Sequence, residues 1–195
     1  DDFCSWYLEI VKPEFGKPID EATYTKTIAF FETILKILHP FMAFITEELW
    51  WKLGPRKQGE SIMVTSWPVA RPEEMDPRTA EIFSLMQEMI SGLGNVKNEY
   101  NVAPGKDISA IINIGGSQNG LLDELRANER YFHKLARATD LTIGSGLPKP
   151  QASAAVVVGA NEVFVPLAGM IDLDVERTRL QKEIEQKEKF LIGVQ

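Results

Sequence analysis

Apolar residues recur through the first hundred positions at intervals of three and four, the spacing that lines one side of an α-helix. Phe3, Tyr7 and Ile10 begin this pattern, and Pro13 closes the segment. Asp20 is placed to cap a second helix, along which Tyr24, Ile28, Phe31, Leu35 and Leu38 form a seam flanked by Phe30, Ile34 and Ile37. An apolar arc that wide predicts contact with more than one neighbour, as inside a bundle. The pattern stops and restarts at Leu38-His39-Pro40. Proline lacks a backbone N–H and fixes φ, so Pro40 predicts a corner into a further helix, with Phe41, Phe44, Ile45 and Leu49 on its buried face. Residues 54–59 read as a polar loop, and Ile62-Met63-Val64 as a short extended piece before Trp67-Pro68. Asp76-Pro77 combines a cap with proline at the first helical position. From there Ile82, Met86, Met89, Leu93, Val96 and Tyr100 hold one seam, the methionines reading as core filler. Helices joined by short loops predict an antiparallel bundle.

After Pro104 the period changes. Ile108, Ala110, Ile112 and Ile114 alternate as in a strand, and residues 115–120 form a turn. A helix is predicted over 121–139, with Leu122, Leu125, Phe132, Leu135 and Ala136 on one arc. Arg126, Arg130, Lys134 and Arg137 fall on another at spacings of four, four and three. That basic strip is either a solvated outer face or a local surface for phosphates. Leu141-Thr142-Ile143 reads as a short strand, and the β-rich runs 154–158 and 163–166 around residues 159–162 as a hairpin. Strands on both sides of one amphipathic helix predict a small α+β module, the helix covering one sheet face. In the charged helix that follows, Leu173, Leu180, Ile184, Leu191 and Val194 fit a heptad interrupted by Arg177 and Lys187. One helix cannot bury such a seam alone, so a coiled-coil partner strand is expected. The predicted fold is thus mainly α with a small α+β module. It runs as an antiparallel helical bundle over 1–103, a sheet-plus-helix module over 104–168, and the first part of a coiled coil over 169–195. Both ends fall inside helical patterns, and the expectation is a piece of a longer protein.

Composition narrows the chemistry. The 195 residues are 44% hydrophobic and 25% charged, with a formal net charge of −7. A free-standing nucleic-acid binder carries a basic excess, so any RNA contact here must be local. The one cysteine, Cys4, excludes an internal disulfide, fits a reducing compartment and reads as a core residue without a paired base. No apolar run approaches the roughly 20 residues that span a bilayer, and no signal peptide opens the chain. Gly54 and Gly59 stand at P-loop spacing, but Glu60 follows where a lysine is needed, which makes a surface turn. The glycines of residues 115–120 likewise lack a lysine or acidic partner. Two histidines and one cysteine do not assemble a four-ligand zinc site, and His133 reads as a surface histidine. Glu47-Glu48 and the Asp172/Asp174 pair are explained by solvation and by the helix dipole. No residue is read as catalytic and none as a metal ligand.

Resemblance adds a family. The string Leu38-His39-Pro40-Phe41-Met42-Ala43-Phe44-Ile45-Thr46-Glu47-Glu48-Leu49-Trp50 resembles the signature of the helical anticodon-binding domain of class I aminoacyl-tRNA synthetases that charge aliphatic amino acids, with Ala43 where proline is usual. Gly94-Asn95-Val96-Lys97-Asn98-Glu99-Tyr100-Asn101-Val102-Ala103-Pro104-Gly105-Lys106 resembles the valine-specific members, Gly94 and Lys97 standing where those carry arginines. Phe3-Cys4-Ser5-Trp6-Tyr7-Leu8-Glu9 also resembles that branch, with Ser5 for the usual aspartate, and the run 163–180 resembles the entry to its coiled-coil arm. The resemblance covers nearly the whole chain. It implies the tRNA-binding C-terminal region of a cytoplasmic, monomeric enzyme that joins valine to tRNA(Val) using ATP and Mg²⁺, and that hydrolyses mischarged threonine in a separate domain. Neither the His-Ile-Gly-His-like nor the Lys-Met-Ser-Lys-Ser-like nucleotide string occurs, so no catalysis and no cofactor is implied for this stretch. The implied partners are tRNA(Val) and the remaining domains of the synthetase, with no DNA and no membrane. The residues expected near RNA are Lys97, Asn101 and Lys106 in the bundle, Arg126, Arg130, Lys134 and Arg137 on the basic strip, and Arg177, Arg179 and Lys182 along the arm. Two other readings stay open: a helical scaffold or adaptor that recruits a protein through its heptads, and the equivalent region of an isoleucine or leucine enzyme.

Overall fold

The computed structural model describes residues 2–103, 105–116 and 120–170, together with residues 177, 181, 182, 184, 185 and 187. The chain is α+β and divides into two compact units, Asp1–Met75 and Asp76–Gln195. The sequence pattern sets its boundary after residue 103; by packing, the helix that starts at Pro77 lies with the sheet.

In the first unit a π-helical turn, Phe3–Tyr7, runs into α1, Leu8–Val11. The wide turn stacks the Phe3 ring on Tyr7 at 5.5 Å and on Phe31 at 5.8 Å, and leaves Cys4 exposed rather than in the core. Asp20 caps α2, Glu21–Leu38, its carboxylate accepting the Thr23 N–H at 2.9 Å. At the corner, the N–H groups of Phe41 and Met42 both turn back to the Leu38 carbonyl, each at 3.0 Å. The next helix, α3, therefore starts only at Ala43 and spans Ala43–Lys52. That start sets which side packs. Thr46 and Trp50 are 1% and 4% exposed, and Leu49 and Leu53 lean on a core of Leu35, Trp50 and Ile62. The expected buried face is corrected accordingly: Phe41, Phe44 and Ile45 are 84%, 94% and 45% exposed. Phe41 belongs to the turn, and Phe44 sits roughly half a turn round the helix from Thr46.

Ile62–Val64 is a 3₁₀ turn, not an extended piece. The Ser61 hydroxyl accepts the Met63 N–H at 3.2 Å, and the Thr65 hydroxyl donates to the Ile62 carbonyl at 2.7 Å. Glu47, read as a solvated surface acid, anchors this turn to α3. Its carboxylate accepts from Ser61 Oγ at 2.9 Å, from the Ile62 N–H at 3.2 Å and from Trp51 Nε1 at 3.0 Å. Arg56 lies over the Trp50 ring at 3.9 Å and pairs with Glu32 on α2.

In the second unit α4 spans Pro77–Glu99, and Asp76 accepts from the Arg78 N–H at 3.0 Å and the Thr79 hydroxyl at 2.6 Å. Its seam is buried as the pattern predicts, with Met86, Met89 and Leu93 at 2%, 0% and 0% exposed. The sheet has β1 (Ile108–Ile114), β2 (Ala138–Ser145), β3 (Ser153–Val158) and β4 (Asn161–Pro166) in the order β2-β1-β4-β3. Strand β1 alternates buried and half-buried positions along its whole length. It runs parallel to β2 and antiparallel to β4, while β3 and β4 make the predicted hairpin, tightened to a two-residue turn at Gly159-Ala160. The helix predicted over 121–139 breaks up into α5 (Leu121–Ala127), α6 (Glu129–Tyr131) and a π-helical turn, Phe132–Ala136. Asn128 interrupts it by returning its side-chain amide to the Glu124 carbonyl at 2.8 Å. Arg137 then takes a left-handed conformation, φ +56°, and Thr139 already lies in β2. Among the described residues, no helix is long and apolar enough to cross a membrane.

Two glycines of α4 differ in surroundings. A Cβ at Gly92 would lie 2.5 Å from Val156 Cγ1 on β3, whereas one at Gly94 meets nothing within 4 Å. Gly94→Ala is expected to stabilise by about 1 kcal/mol through helix propensity, and Gly92→Ala to lower the melting temperature by forcing α4 off the sheet; paired denaturation curves check both. Asp76, held below the ordinary carboxylate value of 3.8 by its hydrogen bonds to Thr79, contributes stability that is present above that value and lost as the pH falls through its lowered folded value. The melting-temperature gap between the wild type and Asp76→Ala is therefore expected at neutral pH and to close on strong acidification.

Candidate nucleic-acid interface

The C-terminal end of α4 is closed by a left-handed residue. Asn101, φ +51°, reverses the chain so that the Val102 N–H reaches the Lys97 carbonyl at 2.8 Å and its own N–H reaches the Asn98 carbonyl at 3.2 Å. These are the two bonds of a Schellman cap, with asparagine where glycine is commonest. Of the expected RNA neighbours, Asn101 thus has a structural task of its own, although its side chain is exposed.

The cap turns the chain towards β1 and brings Lys106 beneath Lys97. The Lys97 side chain is largely buried, the residue being 7% exposed, and its ammonium donates to the Lys106 carbonyl at 2.8 Å. Burial is the main cause that holds its pKa below the usual 10.5; the nearby Arg137 adds to this and Asp107 opposes it. Lys106 donates to the Met170 carbonyl at 2.9 Å.

The broken helix supplies the opposite wall. Because Arg137 is left-handed, its backbone carbonyl accepts the Ile108 N–H at 3.0 Å to start the β1–β2 pairing, while its guanidinium meets Asp107 at 2.9 Å. The result is a cleft of about 340 Å³ lined by Gly94, Lys97, Asn98, Lys134 and Arg137 with Val102 at its base. Three cations from two distant stretches converge there. Arg137 has Asp107 as a charge partner, which partly offsets its charge.

The other expected residues lie elsewhere. Arg126 donates through Nε and a terminal nitrogen to the Ile143 carbonyl, at 3.3 and 2.8 Å, which ties α5 to β2. Arg130 lies over the Tyr131 ring at 4.8 Å and bonds its hydroxyl at 2.8 Å. The four-residue strip is thus divided: Arg126 ties α5 to β2, Arg130 contacts its neighbour Tyr131, and Lys134 and Arg137 line the cleft. Arg177 and Lys182 are exposed, while Arg179 and the heptad positions Leu173, Leu180, Leu191 and Val194 lie outside the described residues. His133 is half-buried against Glu129 at 3.0 Å, not a free surface histidine. Among the described residues, no three or more His, Cys, Asp or Glu gather to hold a metal ion.

A corner of two helices with a signature string, a capped third helix and a local cation cluster is the material of a tRNA-reading domain, and comparison bears on that class directly. The family model of the anticodon-binding domain of tRNA ligases matches residues 1–112, and the chain belongs to this family. Within it the similarity is to valine–tRNA ligases. That of Geobacter sulfurreducens is 38% identical over 191 residues, covering 96% of this chain and 21% of the relative. Those of Parabacteroides distasonis and Bacillus subtilis are each 36% identical across 100% of this chain, which covers 21% and 22% of their lengths. The chain spans about a fifth of the length of the curated relatives it matches.

The cap geometry separates two roles for Asn101. Asn101→Gly is expected to leave the melting temperature unchanged or raised, because glycine adopts φ +51° freely, whereas Asn101→Val is expected to lower it. Thermal unfolding of the two variants checks this.

Proposed function

We propose that this chain is the tRNA-binding region of a cytoplasmic valine–tRNA ligase, with an antiparallel helical bundle that holds the anticodon stem and loop and a coiled-coil arm that braces the tRNA elbow. The family match over residues 1–112 carries this reading. The three valine–tRNA ligases named above, which match 96–100% of the chain, favour it over an adaptor or an isoleucine or leucine enzyme. The intact protein would act as a monomer and join valine to tRNA(Val) with ATP and Mg²⁺, the chemistry residing outside this stretch. The cation cleft supports the same assignment. Phosphates give affinity and register without sequence, and Lys134 with Arg137 offers them charge at a shaped site. Lys97, buried on the Lys106 carbonyl, acts by shaping the cleft.

The test is titration of the full-length protein with tRNA(Val), an anticodon-altered version and an unrelated tRNA at two salt concentrations. Tightest binding to tRNA(Val) is expected, with Lys134→Ala reducing the salt slope by about one. Binding indifferent to tRNA identity would sink the reading.

A further inference from the structure

We propose that the cleft at the α2–α3 corner seats one unpaired nucleobase, with Trp67 as its stacking face and His39 as a contact for its edge; this rests on the tRNA-binding function proposed above. The cleft lies wholly within the first unit, measures about 360 Å³, and is lined among others by Lys36, His39, Met63, Thr65, Ser66 and Trp67. Trp67 is 60% exposed and Met63 is 73% exposed. Among the described residues the Trp67 indole has no hydrogen bond and no ring contact, and Lys36 has no ion-pair partner. A large aromatic face left to water beside a free cation matches the two parts of a nucleotide, since a base stacks on the ring and a phosphate meets the ammonium. The hydroxyls of Thr65 and Ser66 add polar groups to the same wall. The Thr65 hydroxyl already donates to the Ile62 carbonyl, so Ser66 is the hydroxyl that a purely apolar protein segment would leave unpaired.

His39 gives the cleft a base-edge contact. Its Nδ1 and the Thr46 hydroxyl share a hydrogen bond at 2.7 Å, and the same hydroxyl lies 2.8 Å from the Met42 carbonyl. With Nδ1 engaged inside the corner, Nε2 is the ring atom left for a base edge, an acceptor or a donor according to the tautomer. Every base offers such an atom a partner on its Watson–Crick edge, so Nε2 fixes the orientation of the base in the slot rather than its identity. Thr46, 1% exposed, locks the His39 ring from within the corner.

The test uses the full-length protein and an RNA hairpin copying the anticodon arm of tRNA(Val), with 2-aminopurine placed at each loop position in turn. Binding is expected to change the fluorescence strongly at one position through stacking on Trp67. Trp67→Ala is expected to abolish that change and weaken affinity by about five- to hundredfold, Trp67→Phe to keep most of both, and Lys36→Ala to lower the salt slope by about one with the fluorescence change retained. His39→Phe, which removes Nε2, is expected to weaken hairpin affinity severalfold with the fluorescence change retained. Hairpin binding and fluorescence unaltered by Trp67→Ala would overturn the pocket while the tRNA-binding reading stands; no hairpin binding by the wild type overturns both. A Trp67→Ala protein that melts earlier yet binds the hairpin with unchanged affinity would make the cleft a seat for protein, and that also overturns the proposal.

Discussion

One carboxylate settles where the first unit goes after its third helix. Glu47 takes bonds from Ser61, from the Ile62 backbone and from Trp51, and so clamps the loop 53–61 back onto α3. The clamp holds Ile62 where its side chain completes the small core made with Leu35 and Trp50. With it, the segment that follows is delivered beside His39, and a cleft exists. A half-buried acid bonded to three donors is worth more than a surface ion pair, because removing it leaves a backbone N–H and a hydroxyl without partners.

Much of the architecture was legible because it depends on short-range rules. Asp20 and Asp76 cap where the residue types say they will, the methionines of α4 fill the seam their spacing describes, and β1 alternates as strands do. The errors arise where one residue shifts the phase of everything after it. Starting α3 at Ala43 and not at Pro40 rotates Phe44 out of the core and brings Thr46 in. A polar residue in a core position escapes any search for apolar periodicity, and here its hydroxyl is satisfied by the helix's own carbonyls and by His39. The break at Asn128 and the left-handed Arg137 are of the same kind, since neither residue type demands a helix end.

The site was legible only in part, for a different reason. Spacing grouped Arg126, Arg130, Lys134 and Arg137 because it assumes one straight helix. The broken helix gives them separate tasks, and the carbonyl of Ile143, which engages Arg126, lies 17 residues away in sequence. Lys97 and Arg137 meet only because β1 pairs with β2 and the Asn101 cap folds α4 back to that edge, a juxtaposition no local pattern encodes. Trp67 carried a visible signal, an aromatic before a proline outside any seam, but nothing in the sequence placed it beside His39.

Gly92 has a mechanical consequence. Its missing side chain lets α4 sit directly on Val156 of β3, so the helix has no clearance to roll about its own axis. Torque applied at the Lys97 end must then be carried by sheet and helix together. The second unit would answer a load from RNA as one stiff lever, with compliance left to the loops at its margins.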